Sequence, residues 1–93
     1  MRYVMFTKKA RENGAESVKP ADWAFMEQSG KVLAAMPETW KKYPPTTEGM
    51  MGIIEMEMGE LKKAGNDTDR SHELVHLASA ALRMWRYLNH VEL

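Results

Sequence analysis

Apolar residues recur three or four positions apart through two long stretches in the second half of the chain. This spacing places them on one face of an α-helix, so the sequence predicts helices over residues 47–64 and 68–89. The two predicted apolar stripes are Met50, Ile53, Ile54, Met58, Leu61 and Ala64 on the first helix, and Leu74, Leu77, Ala81, Met84, Trp85 and Leu88 on the second. Each helix therefore has one side suited to packing against a neighbour.

Local signals at the ends of these stretches define the helix boundaries. Thr46 or Thr47 is suited to cap the first helix, and Gly65-Asn66 is typical of a helix C-terminus. Residues 67–69, Asp-Thr-Asp, offer several N-caps for the second helix. Because the connection is short, the two helices are predicted to form an antiparallel hairpin.

A further helix is predicted upstream, over residues 20–36. Pro20 suits its first turn, and Pro37 ends it. Residues 37–45 read as an ordered connector with one helical turn at residues 38–42. The apolar face of the upstream helix consists of Trp23, Met26, Val32, Leu33 and Met36.

The N-terminal segment, residues 1–16, has weaker signals. Its β-branched and aromatic residues predict an extended stretch at residues 3–7, and a short helical turn follows at residues 8–13. With 93 residues in total, we expect one all-α domain over residues 1–93. A bundle this small leaves apolar surface uncovered, so we expect a homodimer or tetramer to complete it.

Charge and composition narrow the class of function. The 13 basic and 13 acidic residues give a formal net charge of zero, which offers no field to attract nucleic acid or an anionic membrane. The sequence has no cysteine, so disulfides, thiol catalysis and thiolate metal sites are excluded. The apolar run at residues 3–6 is too short for a signal-peptide core or a membrane span, and we expect a cytoplasmic protein.

A carboxylate interrupts the apolar stripe of the helix at residues 47–64. Glu57 falls inside the stripe and Glu60 lies at its edge, whereas Glu55 points outward. A lone ionised carboxylate on a buried face is costly unless it is paired or binds a cation. Glu57 therefore requires a partner, either a Lys or Arg of another helix or subunit, or a metal ion.

The helix at residues 68–89 repeats this arrangement. Glu73 lies on the flank of its apolar stripe, and His76 follows one turn further round. Two polar residues at i and i+3 on each of two facing helices are typical of carboxylate bundles that hold divalent ions. Hard ions such as Mg²⁺ and Mn²⁺ prefer oxygen ligands of this kind.

Two short runs carry a resemblance to a known family. Residues 56–61, Met-Glu-Met-Gly-Glu-Leu, followed by residues 73–78, Glu-Leu-Val-His-Leu-Ala, resemble the signature of MazG-like all-α nucleotide pyrophosphohydrolases. That signature is a Glu-x-x-Glu helix, a turn and a Glu-x-x-Asp helix. The likeness covers residues 47–89. The same residues are also similar to a group of short phage and prophage proteins.

Four residues of these two runs match positions of the signature, and a fifth departs from it. Glu57 and Glu60 match the first part of the signature, and Gly59 matches the small residue common before its second Glu. Glu73 matches the first position of the second part, whereas His76 stands where the family has Asp. An imidazole is a weaker ligand than a carboxylate for Mg²⁺ but is acceptable to Mn²⁺, so this departure bears on catalysis itself.

The resemblance implies hydrolysis of a nucleoside triphosphate to the monophosphate and pyrophosphate. It implies that Glu57, Glu60, Glu73 and His76 bind Mg²⁺ or Mn²⁺ and that one of them positions the attacking water. The alternative is a catalytically inactive helical dimer that serves as a protein-interaction module or as a phage structural or accessory component.

Aromatic residues and the remaining histidines add secondary expectations. Trp40 and Tyr43 are candidates for a lip that stacks on a nucleotide base, whereas the neighbouring residues 41–42, Lys-Lys, are more typical of a solvated patch. Trp85 is expected to pack in the core. His72 and His76 stand at i and i+4 but lack the Glu of a zinc-protease motif, so zinc hydrolysis is not expected.

Overall fold

The computed structural model describes residues 18–90 of the chain, which contain three α-helices and no strand. Helix α1 spans Pro20–Ala34, α2 spans Thr47–Lys63 and α3 spans Asp67–Leu88, and a short 3₁₀ helix at Glu38–Lys42 lies between α1 and α2. The predicted all-α class and the helix hairpin are confirmed. The extended stretch and helical turn predicted at residues 3–7 and 8–13 lie outside the described residues.

Side-chain caps explain where α2 and α3 begin. The Thr46 hydroxyl accepts a hydrogen bond from the Gly49 amide at 3.1 Å. Asn66 performs the same role for α3, since its side-chain oxygen accepts from the Asp69 amide at 2.8 Å. The N-cap predicted within residues 67–69 was wrong, because extended backbone at Asn66 already places an amide oxygen over the first turn.

Helix α3 packs against both α1 and α2, so it forms the centre of the bundle. Where it meets α1, the contact is made by small side chains. Ser79 is fully buried, and its hydroxyl donates to the Val75 carbonyl oxygen at 2.7 Å, with the Ser29 carbonyl oxygen 3.4 Å away. Short side chains on both helices allow their backbones to approach closely.

The core lies where the connector meets the hairpin. Trp40, in the 3₁₀ helix, is only 2% exposed and packs with Ile53 of α2 and Ala80 of α3. The connector therefore contributes the largest side chain of the core, and the predicted role of Trp40 in an open substrate lip was wrong. Partly buried neighbours complete the cluster: Val32, Leu33, Tyr43, Ile54 and Met56.

Two glycines let the connector lie directly on α2. A Cβ atom at Gly49 would overlap the carbonyl oxygen of Pro44, and one at Gly52 would lie 2.8 Å from the Tyr43 ring. Glycine is therefore required at both positions for packing. A Cβ at Gly59, further along the same helix, would meet nothing within 4 Å.

The predicted apolar stripe of α2 is buried or partly buried except at Met58, whereas most residues of the α3 stripe are exposed. On α2, Met50 and Ile53 are buried and Met58 is exposed. On α3, the residues that face the bundle include Ser79 and Ala80. Much of the stripe that the sequence assigned to the core is instead exposed, with Leu74, Trp85 and Leu88 exposed to 45%, 56% and 52%. Leu77 and Met84 are partly buried.

Candidate functional site

The buried carboxylate of Glu57 is the centre of the candidate site. It projects from α2 toward the connector and is 2% exposed. The indole Nε1 of Trp40 donates to its Oε2 at 2.8 Å. A buried carboxylate needs a partner, and Glu57 has one. Within residues 18–90, its hydrogen-bond partner is the Trp40 indole rather than a Lys or Arg.

Helix α3 brings His76 to the same carboxylate. Its Nδ1 lies 3.6 Å from Glu57 Oε2 and 4.0 Å from Glu73 Oε2. The side chains of His76 and Glu73 are about a fifth exposed, so both can be reached from solvent. Three of the four predicted site residues thus meet across the α2–α3 hairpin, with His76 between the two carboxylates.

Glu60, the fourth predicted residue, lies apart from this group. It is exposed on α2, and in the described part of the chain no hydrogen bond or ion pair links its side chain to Glu57, Glu73 or His76. Its predicted place in a four-residue metal site stays a prediction.

His72 lies one turn before His76 on the same helix and was not among the predicted site residues. Its ring centroid lies 4.4 Å from that of His76, with the ring planes tilted by 54°. Donor atoms of His72, Glu73 and His76 all lie within 4.8 Å of one another. The signal available in the sequence was the i, i+4 spacing of the two histidines, which places both on one side of a helix.

The donor atoms can be compared with what a metal ion requires. Atoms bound about 2.0–2.2 Å from one ion lie about 3–4.4 Å apart. The separations of 3.6 Å and 4.0 Å around His76 Nδ1 are within that range. A mixture of imidazole nitrogen and carboxylate oxygen suits Mn²⁺ more closely than Mg²⁺, which prefers oxygen alone.

The fold and the site together define an all-α helical-hairpin protein with a buried carboxylate beside a histidine–glutamate cluster. Comparison with protein-family models, with curated proteins and with solved structures yields no match to this chain. None of the helices between residues 18 and 90 is long and apolar enough to cross a bilayer.

Proposed function

We propose that this chain hydrolyses a nucleoside triphosphate to the monophosphate and pyrophosphate with the help of Mn²⁺ or Mg²⁺. One observation carries the proposal, namely that Glu57 and Glu73, on facing helices, converge on His76. The likeness of residues 47–89 to MazG-like pyrophosphohydrolases supplies the reaction. We expect the protein to act in the cytoplasm on a soluble nucleotide.

The proposed roles follow from exposure and charge. Glu73 and His76 are open to solvent and would hold the metal, with Glu60 as the further ligand that the family likeness implies. Glu57 is fixed by Trp40 and directs its negative charge at His76. A divalent ion at this position would neutralise phosphate charge and favour ionisation of a bound water, while His76 would position that water.

We propose further that two or more copies of the chain assemble. The exposed stripe of α3 repeats every seven residues through Leu74, Ala81 and Leu88, with Trp85 beside it. Apolar residues at this spacing form a seam that packs against a second helix. The partner is a second copy of α3, because like stripes pair around a two-fold axis.

A specific observation favours a second candidate function. Glu57 is already hydrogen-bonded to Trp40, and Glu60 is exposed and, within residues 18–90, forms no hydrogen bond or ion pair with the cluster. A chain that keeps the hairpin for its structure and uses the α3 stripe for association would be a catalytically inactive interaction module or phage accessory protein. It would show oligomerisation without nucleotide hydrolysis.

The test is pyrophosphate release from a panel of ribo- and deoxynucleoside triphosphates, with Mg²⁺ and then with Mn²⁺. We expect release by the native chain and a fall of about 100-fold or more in Glu57→Gln. This variant retains an oxygen that can accept from Trp40. The matched control is Glu55→Gln, an exposed carboxylate on the same helix, which should leave the rate unchanged.

Two outcomes would contradict the proposal. Release that is equal in native protein and Glu57→Gln would place the chemistry elsewhere. If no nucleotide releases pyrophosphate with either metal, the chain is not a pyrophosphohydrolase, and the inactive interaction module becomes the preferred function.

A further inference from the structure

The histidine–glutamate cluster at the start of α3 has a composition that the proposed hydrolysis does not require. Two imidazoles and one carboxylate, from His72, Glu73 and His76, present donor atoms within 4.8 Å of one another. The proposed reaction uses Glu73 and His76 but assigns nothing to His72. The second imidazole changes the kind of ion that the cluster would select.

The spacing of the two histidines explains why their side chains meet. Residues four positions apart lie on the same side of a helix, one turn above the other. The rings of His72 and His76 are accordingly 4.4 Å apart at their centroids. Glu73 adds an oxygen whose distance to His76 Nδ1 is 4.0 Å. Three donors therefore lie close together on one side of one helix.

Donor chemistry determines the class of ion. Imidazole nitrogen binds Co²⁺, Ni²⁺, Cu²⁺ and Zn²⁺ well, whereas Mg²⁺ takes oxygen ligands. Since the chain has no cysteine and three histidines in all, this cluster holds two of its three imidazoles. Ligands from one side only would leave positions on the ion open to water or to an anionic ligand.

The buried carboxylate of Glu57 also lies close to His76. Its Oε2 lies 3.6 Å from His76 Nδ1 and is fixed by Trp40. A carboxylate beside an imidazole restricts the orientation of the ring. Glu57 therefore acts through His76 as a positioning residue, and the ion would lie on the more exposed side of the cluster.

We propose that His72, Glu73 and His76 form a binding site for a first-row transition-metal ion of the Co²⁺, Ni²⁺ or Zn²⁺ class. The site goes beyond the proposed function, because binding needs neither Glu60 nor a nucleotide. An ion there shares Glu73 and His76 with the hydrolytic site, so it competes with Mn²⁺ or Mg²⁺ for them.

The test uses the full chain with NiCl₂ as the probe, followed by proton NMR of the histidine rings. Paramagnetic Ni²⁺ at substoichiometric amounts should broaden the ring signals of His72 and His76 and leave those of His90 sharp. Calorimetric titration should show one Ni²⁺ per chain, with affinity at least about tenfold weaker in His72→Ala. His90→Ala, an exposed residue outside the helices, is the matched control and should bind as the native chain does.

His72 is exposed, so its replacement leaves the packing of the bundle intact. Equal broadening of all three histidines, or unchanged Ni²⁺ affinity in His72→Ala, would overturn the proposal. A pyrophosphate assay with Mg²⁺ separates the two claims. A chain that releases no pyrophosphate should still bind Ni²⁺ with one ion per chain, and His90→Ala should keep the native rate of hydrolysis.

Discussion

A carboxylate that is buried without a Lys or Arg partner depends on the hydrogen bonds that replace its water. For Glu57 the structure provides one from the Trp40 indole, at 2.8 Å. Hydrogen bonds to a charged group contribute more than those between neutral groups, and an unsatisfied buried carboxylate is costly. Trp40 therefore stabilises the fold both through its packed ring and through its N–H group.

The first prediction measures these two contributions together. Trp40→Phe retains an aromatic ring but removes the donor, so it should lower the free energy of unfolding by about 2–4 kcal/mol. The matched control is Trp85→Phe, since Trp85 is more than half exposed. That change should stay within about 0.5 kcal/mol in dilute protein. Urea unfolding of both variants gives the comparison, and equal midpoints would refute the role of the Trp40 donor.

At this scale the sequence allowed part of the site to be predicted. The helical period placed Glu57 on the inward face and required a partner for it, and both features are present. The identity of the partner was not predictable, because Trp40 lies 17 positions earlier in a connector without periodic signal. His72 was not predicted as a site residue, because its i, i+4 spacing to His76 lacks the Glu of a zinc-protease motif.

The start of α2 is determined by contact between the connector and the helix backbone. Pro44 lies so close to Gly49 that no side chain fits between them. The Thr46 cap holds the same turn through the Gly49 amide. The element therefore depends on glycine for close approach and on threonine for its first hydrogen bond.

The second prediction compares two glycines of this one helix. Gly49→Ala should destabilise the protein by about 1–3 kcal/mol or more, because the added methyl group meets a backbone oxygen that cannot rotate away. Gly59→Ala should stabilise it by up to about 1 kcal/mol, since the site is open and alanine favours helix. Thermal unfolding monitored by circular dichroism measures both, and a shift in the same direction would contradict the packing account.

Helix boundaries were predicted within about two residues because caps and stops are local. The inward face of α3 was not predicted correctly. Apolar periodicity shows which residues share one face of a helix, but it does not show which neighbouring element that face contacts. Small residues such as Ser79 and Ala80 face the bundle because they permit close helix contact. The stripe with Leu74, Trp85 and Leu88 was thereby left outward.

For the whole molecule, the outward stripe predicts self-association. The native chain should sediment as a dimer or tetramer at micromolar concentration. Ala81→Glu, a change at the exposed centre of the stripe, should give monomers that keep the native helical content, because a charge in an apolar seam is costly. Met51→Glu, at an exposed apolar residue of α2, should leave the oligomer intact. A native chain that remains monomeric at high concentration would refute this prediction.

The central claim concerns which bond of the nucleotide is broken, and ³¹P NMR of the reaction products measures it directly. With Mn²⁺ and a susceptible nucleoside triphosphate, the account predicts pyrophosphate and nucleoside monophosphate from the native chain and neither from Glu73→Gln. The paramagnetic Mn²⁺ is removed on a chelating resin before the spectrum is recorded. Orthophosphate with nucleoside diphosphate would show cleavage of a different bond. An unchanged triphosphate spectrum would contradict the account outright.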